Sequence, residues 1–197
     1  ITIKTTTDEY TTERVVLTSG VWTNEILPLI KDCSYSVPMT YSKPKECKYV
    51  YPPLEIKEQY YPENFPVFAY LDLGMYGHPM YDKEKGAIKI SYFEPSDFKG
   101  DDTGLIKNIT DFVRECLPEL KDARIEDVQD ADSCKYDWPE DDNFVIGKVP
   151  GTENIFLGTG WRGTGYKFAP LIGKILSQLT LQEGTVYNIN RFNPNRF

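Results

Sequence analysis

Histidine is almost missing. His78 is the single one in 197 residues, so a histidine-based triad would have to use it, and a Cys/His zinc site has little to draw on. Its setting, Gly77-His78-Pro79, reads as a turn. The four cysteines, Cys33, Cys47, Cys116 and Cys134, contain no Cys-x-x-Cys pair, which removes the usual zinc and redox spacings. No metal site is expected. Scattered thiols without a signal peptide lead to the expectation of a reducing, intracellular compartment, with cytosol as the default. No apolar run reaches the ~18 residues of a membrane helix, so no membrane partner is expected. Positive charge is also short: 22 Lys and Arg stand against 30 Asp and Glu, a net charge of −8. That balance excludes the basic stripe a nucleic-acid face needs.

What is present is aromatic. Phe, Trp and Tyr make up 14% of the chain, with 14 Tyr and 10 Phe; such residues suit β-rich domains and flat ligands. The 40% hydrophobic and 26% charged residues are ordinary globular values. The length allows one large domain or two small ones. The chain opens at Ile1 in what reads as a β-hairpin, with Ile1–Thr5 as one arm, a turn near Asp8-Glu9, and Arg14–Leu17 as the other. An opening without Met inside a strand reads as a fragment, a processed chain, or a piece lacking its N-terminal part.

Val15-Val16-Leu17, ending at Ser19-Gly20, suits a buried strand of a parallel sheet. From Tyr35 to Phe93 short β-branched and aromatic runs are punctuated by Pro and Gly, which predicts an antiparallel sheet with one open face. Asp101–Leu120 predicts a helix, N-capped at Asp101-Asp102-Thr103, with Leu105, Ile109, Phe112, Val113 and Cys116 at helical spacing. The acidic stretch from Glu126 to Asp142 reads as a solvated loop. Two strand-like runs follow, Phe144–Gly147 and Ile155–Leu157, then an amphipathic helix through Leu171, Ile172, Ile175, Leu176 and Leu179.

Between the last strand and that helix lies Gly158-Thr159-Gly160-Trp161-Arg162-Gly163-Thr164-Gly165. Gly158 to Gly163 matches Gly-x-Gly-x-x-Gly in the strand-to-helix context of a phosphate-cradling turn. A dinucleotide fingerprint normally opens its βαβ unit, whereas this one stands near the C-terminal end. A glycine-rich turn with no ligand fits the spacing equally; Lys167 beside it favours a site. Lys89, within Ile88-Lys89-Ile90, points away from its apolar neighbours, and most such lysines simply face water.

Together these pieces resemble a known family. Val16–Trp22 resembles the strand-Gly-x-Trp segment of the FAD-dependent amino-acid oxidase superfamily. Tyr76-Gly77-x-Pro79 followed by Lys89 resembles the Tyr-Gly-x-Pro…Lys element of monomeric sarcosine oxidases. Ser133-Cys134-x-Tyr136 with Asp141-x-x-Phe144-x-Ile146 resembles their flavin-attachment segment. Gly160-x-x-Gly163-x-Gly165-x-Lys167-Phe168-Ala169-Pro170 resembles their C-terminal flavin turn, and Asn190-Arg191-Phe192 is similar to the close of eukaryotic pipecolate and sarcosine oxidases. The resemblance covers nearly the whole chain, in order.

It implies an α/β (α+β) fold. Residues 1–30 and 144–197 would be parts of an FAD-binding, Rossmann-like domain whose N-terminal half is absent, and 31–143 an antiparallel substrate-binding domain. It implies an FAD-dependent amine oxidase acting on CH–NH donors with oxygen, turning sarcosine, pipecolate or a similar amino acid into an imine and hydrogen peroxide. Cys134 would attach the flavin covalently. Gly20, Trp22, Gly158, Gly160, Gly163 and Gly165 would meet the cofactor. Lys89 would favour oxygen reduction near flavin N5, and Lys167 would stabilise the anionic reduced ring. Tyr76 and Tyr136 would line the substrate pocket with Phe93 and Thr164. Phe93 and Thr164 stand where the family typically carries histidine, and the Tyr76–Lys89 spacing is slightly long; these departures bear on which amine fits. The alternatives are a non-catalytic binding module on this fold, and an oxidase of sugar-modified amino acids or saccharopine. The implied partners are an amino-acid substrate, oxygen, and the absent N-terminal part or a second chain. The chain alone is expected to be inactive and to associate through open sheet edges. No C-terminal Ser-Lys-Leu-type address supports peroxisomal targeting.

Overall fold

The computed structural model describes residues 1–43, 46–92, 104–129 and 135–197. The chain forms two compact units, one of Ile1–Ser42 with Lys135–Phe197, the other of Lys43–Cys134. The units part at 42/43 and 134/135. The reason lies in pairing: β4 (Met39–Ser42) and β10 (Tyr136–Pro139) form an antiparallel ladder with Tyr136 opposite Ser42.

In the first unit, β1 (Thr2–Lys4) pairs with β2 (Glu9–Thr11), Thr2 opposite Thr11. Thr5 Oγ1 accepts from the Asp8 amide at 2.9 Å and closes the turn. The second arm of the hairpin is thus Glu9–Thr11 rather than Arg14–Leu17. Instead β3 (Val15–Leu17) runs parallel to β12 (Ile155–Thr159), with Val15 opposite Ile155. β11 (Val145–Lys148) flanks β12 on its other side, antiparallel. As the central strand, β12 is buried along its whole length, whereas β3 at the edge is only half-buried, with Val16 39% exposed. A short helix α1 (Thr23–Ile26) follows β3. One face of the sheet packs Val145, Ile155 and Leu157 against Leu27 and Val37. The opposite face packs Ile146 against Ile172, Ile175 and Leu176 of α2 (Ala169–Leu181). Each such buried side chain contributes about 1.5–3 kcal/mol. Pro170 sits in the helix's first turn, where its missing N–H costs nothing, and Gln182 ends it at φ +61.

The second unit is a five-stranded antiparallel sheet. Its order is β6 (Phe68–Tyr70), β7 (Met75–His78), β8 (Ile88–Tyr92), β5 (Glu46–Tyr51) and β9 (Arg124–Asp127). The helix Ile109–Cys116 covers one face. Ile109, Phe112 and Val113 pack there on Val50, Met75, Ile88 and Ile90. This helix starts later than the sequence suggests. Asn108 is the N-cap, its Oδ1 accepting from the Asp111 amide at 2.9 Å, and Glu46 Oε2 accepts from the Ile109 amide at 2.7 Å. Gly104 at φ +66 precedes it, and Leu105 is exposed rather than in the helix. The expected cap at 101–103 lies outside the described residues.

The acidic stretch from Glu126 to Asp142 is likewise not one solvated loop. Glu126 and Asp127 belong to β9, and β10 buries Asp137 to 3% exposure. Among the described residues no helix is long and apolar enough to cross a membrane. No group of three or more His, Cys, Asp or Glu among them could hold a metal ion.

Candidate functional site

In the first unit, two turns carry the residues expected at a cofactor. Gly158 is still inside β12, where a Cβ would come 3.0 Å from Leu176 Cδ1. Its small size serves helix-on-sheet packing. The turn proper begins at Gly160, at φ +78, where a Cβ would lie 2.4 Å from Pro139 Cγ. Gly163, at φ +70, would bring a Cβ to 2.7 Å from the Tyr136 ring. Gly165 would meet Trp161 Cβ at 2.7 Å. Three glycines are therefore required by the turn's own conformation and neighbours.

A buried carboxylate holds this turn. Asp137 Oδ2 accepts from the Gly160 amide at 2.7 Å, and Oδ1 accepts from the Trp161 amide at 2.9 Å. The Asp137 carbonyl accepts from the Arg162 amide at 3.1 Å. Thr159 donates to Asp137 Oδ2 at 3.0 Å, and its Oγ1 lies 3.0 Å from Thr23 Oγ1. Thr23 in turn reaches the Gly20 carbonyl at 2.7 Å. One polar chain thus ties the Gly20 turn to the glycine-rich turn, and buried polar groups satisfied this way are rigid. Thr164 donates to the Trp161 carbonyl at 2.9 Å and closes the loop. Gly20 is at φ +54 with open space where a Cβ would stand. Trp22 is 54% exposed and Tyr166 is 96% exposed, and Lys167 beside it is also exposed. Tyr136, by contrast, is buried, its ring against Gly163.

In the second unit the alternation of the strands sorts the side chains. Met75, Ile88 and Ile90 face the helix. Tyr76, His78, Lys89 and Ser91 stand on the other face, with Tyr76 opposite Ser91 and His78 opposite Lys89. From β5, Cys47 is paired with Ser91 and Tyr49 with Lys89. Cys47 Sγ lies 2.9 Å from Ser91 Oγ. The Tyr76 and His78 rings meet edge to face, centroids 5.8 Å apart. Burial, and then the neighbouring Lys89 charge, lower the His78 pKa. The residues that lengthen the Tyr76–Lys89 spacing form a turn in which Asp82 Oδ1 accepts from the Glu84 and Lys85 amides at 3.0 Å. Lys85 then donates to the Tyr49 hydroxyl at 2.9 Å, adding a cation beside that ring.

The structure thus brings Tyr76 and Lys89 together on one sheet face, and places Gly20, Trp22, Gly160, Gly163, Gly165, Thr164, Lys167 and Tyr136 in the first unit. Cys134 and Phe93 lie outside the described residues. Two residues escaped the sequence reading. His78 is the last residue of β7, not a turn residue. Asp137 is buried, and its signal was a carboxylate at the centre of an aromatic, strand-like Tyr136–Pro139 run.

Residues 1–179 match the family described as FAD dependent oxidoreductase, or DAO. The chain belongs to the FAD dependent oxidoreductase family. Within that family it is 30% identical over its full length to the peroxisomal sarcosine oxidase of Homo sapiens, covering 51% of that protein. It is 25% identical to the monomeric sarcosine oxidase of Streptomyces avermitilis, again over 100% of this chain and 51% of the relative. The chain spans about half the length of the curated relatives it matches. Among solved structures, a thermally stable mutant of fructosyl peptide oxidase superposes with a TM-score of 0.71 at 20% identity, over 98% of this chain and 48% of the other. An L-amino acid deaminase from Proteus vulgaris gives a TM-score of 0.68 at 17% identity, over 100% of this chain and 46% of the other. These likenesses establish a mixed α/β fold shared with about half of each oxidase structure.

The FAD dependent oxidoreductase family implies FAD, and the residues of the first unit fit it. Open space lies over Gly20, exposed aromatic and cationic side chains stand at Trp22, Tyr166 and Lys167, and both turns are held together by Asp137, Thr159 and Thr23. A flat, anionic ligand needs close backbone approach and nearby positive charge.

Proposed function

We propose that this chain is the C-terminal half of a flavin-dependent oxidase of secondary-amine amino acids, such as sarcosine or pipecolate, yielding an imine and hydrogen peroxide. The observation that carries the reading is the Tyr76–Ser91 and His78–Lys89 lattice on one sheet face, in a chain 30% identical along its whole length to a sarcosine oxidase. When bound, FAD supplies the redox chemistry. The Gly20 and Gly160–Gly165 turns would meet it, with Gly158 and Trp22 supporting them from strand and turn. Lys167 would place positive charge where the reduced ring is anionic, and Lys89 would stabilise the negative charge that builds on oxygen. Tyr76, Tyr136, Phe93 and Thr164 would shape the substrate pocket, and Cys134 would hold the flavin covalently. In this reading the first unit belongs to the FAD-binding domain and the second is the substrate domain.

The reading is tested on the full-length protein. Peroxide formed from N-methyl or cyclic amino acids supports it, and a pure protein that never binds flavin overturns it. Peptide mapping around Cys134 tests the attachment separately: a flavin adduct supports a covalent link, and an unmodified thiol in flavin-loaded protein removes that residue from the cofactor site.

A further inference from the structure

We propose that His78 is a proton-accepting residue of the same site, taking the proton from the substrate ammonium before oxidation. This rests on the reading above, in which Tyr76 and Lys89 stand at the substrate. It goes further by assigning a role to a residue for which the resemblance supplies none.

The argument starts from the substrate class. A secondary amine is an ammonium near neutral pH and has no lone pair to form a C=N bond. It must lose a proton first. The N–H bond breaks, its electron pair stays on nitrogen, and the proton passes to an acceptor and then to water. Only then can the C–H bond of the neighbouring carbon be oxidised, which is the chemistry that FAD would supply when bound. A general base for that step must be neutral at working pH and must stand on the substrate side of the fold.

His78 meets both needs. It is directly opposite Lys89 across the β7–β8 ladder, where cross-strand Cβ atoms are about 4.5–5.5 Å apart. Two residues before it on the same face, Tyr76 packs edge to face against its ring at 5.8 Å. The imidazole is half-buried, neither sealed in the core nor lost to water. Among the described residues, Lys89 from β8 is the charged group acting on it, and Tyr76 from β7 is its titratable ring neighbour. On the other flank, β6 brings Phe68 opposite Gly77 and presents no charge there. Burial, and then the Lys89 charge, disfavour imidazolium, which keeps the ring available as an acceptor and makes it a weaker base than free imidazole, so the proton it takes is passed on readily. The same Lys89 hastens release of the proton to water once it has been taken. The other acid–base side-chain types on this face, lysine, tyrosine and cysteine, ordinarily hold their protons at neutral pH. Histidine is the side chain whose ordinary pKa lies near neutrality.

The test uses the full-length, flavin-loaded protein and two variants. His78→Phe keeps an aromatic ring against Tyr76 and removes the base; His78→Gln keeps a polar group that cannot accept a proton at these pH values. Flavin reduction by sarcosine and by L-pipecolate is followed anaerobically from pH 6 to 10, and reoxidation of the reduced protein by oxygen is followed separately. Both variants should slow flavin reduction by roughly 10²-fold near neutral pH, with rates recovering toward wild type as the amine deprotonates unaided at high pH. Reoxidation should stay within about threefold, because Lys89 is untouched. A wild-type reduction rate and pH profile in either folded variant overturns the proposal while leaving the oxidase reading intact. Wild-type protein whose flavin no amine reduces overturns that reading and this proposal with it.

Discussion

The glycine-rich turn of the first unit and the sheet face that carries Tyr76 and Lys89 in the second are both assembled from residues a sequence reader would assign to function, yet they are held in different ways. In the turn, each glycine answers to a neighbour: Gly160 to Pro139, Gly163 to Tyr136, Gly165 to Trp161. The buried Asp137 takes up two of the turn's amides. Fold and the surface proposed for the cofactor there are the same atoms. On the sheet face, Tyr76, His78 and Lys89 stand on the side away from the Met75, Ile88 and Ile90 core. Strand alternation separates what folds the unit from what it presents, so that face can change chemistry without repacking the core.

That contrast can be broken by experiment. The largest effect is expected on the sheet face, and on activity alone. Lys89→Met in the full-length protein should slow flavin reoxidation by oxygen about 10²–10³-fold, while thermal stability stays within about 1 kcal/mol. A large loss of stability would mean that this face is part of the fold after all.

Next come the turn substitutions. Gly160→Ala must adopt φ +78 and place a Cβ 2.4 Å from the Pro139 ring; a cost above about 3 kcal/mol is expected by denaturant unfolding. Gly77→Ala in the second unit offers the sharper comparison. Its Cβ would also fall 2.4 Å from another group, but that group is the tip of the Phe68 side chain and the backbone is ordinary. The ring can move, so about 1–2 kcal/mol is expected. Equal costs at the two glycines would show that backbone conformation is not what distinguishes the turn.

Asp137→Ala should cost about 2–3 kcal/mol, since it strands the Gly160 and Trp161 amides away from water. Flavin content after purification should fall with it if the turn meets the cofactor. Unchanged stability would mean that those amides find other partners.

The smallest effect concerns Asp141. Its carboxylate receives Arg196 Nε at 2.6 Å and Nη2 at 2.9 Å, and that pair above all holds its pKa at about 2, below the usual 3.8. A folded-state pKa below the unfolded value stabilises the protein above the unfolded pKa, and this stabilisation is lost as pH falls from about 4 through 2. The pair is partly exposed, so solvent screening reduces its contribution; Asp141→Asn should cost about 1 kcal/mol at pH 7 and progressively less as pH falls through 2, as read by urea unfolding across pH.

Much of this molecule could be read before folding. Val15–Leu17 and Ile155–Leu157 are short β-branched and apolar runs, and they pair in parallel as their composition suggests. Ile172, Ile175 and Leu176 recur at helical spacing and are buried together. Other elements were hidden. Leu105 keeps helical period with Ile109 but lies beyond the Asn108 cap, and period alone does not say where a cap will form. The Glu126–Asp142 stretch looked solvated because charge was counted without pairing, yet β4 draws Tyr136–Pro139 into a ladder. His78 looked like a turn residue because it precedes a proline, whereas the register of β7 on β8 makes it the neighbour of Lys89.

Sequence by itself settled the kinds of chemistry open to this protein: a single histidine, no zinc spacing, an acidic balance, and an ordered set of short motifs that place it in an FAD-dependent family. Those are properties of composition and local order, which survive in any conformation. Only the tertiary structure decided that Asp137 is a buried clamp on the glycine-rich turn, and that His78, Tyr76 and Lys89 share one face. Both depend on pairing between segments distant along the chain, and such pairings are selected by packing and hydrogen-bond satisfaction rather than by any short run of residues.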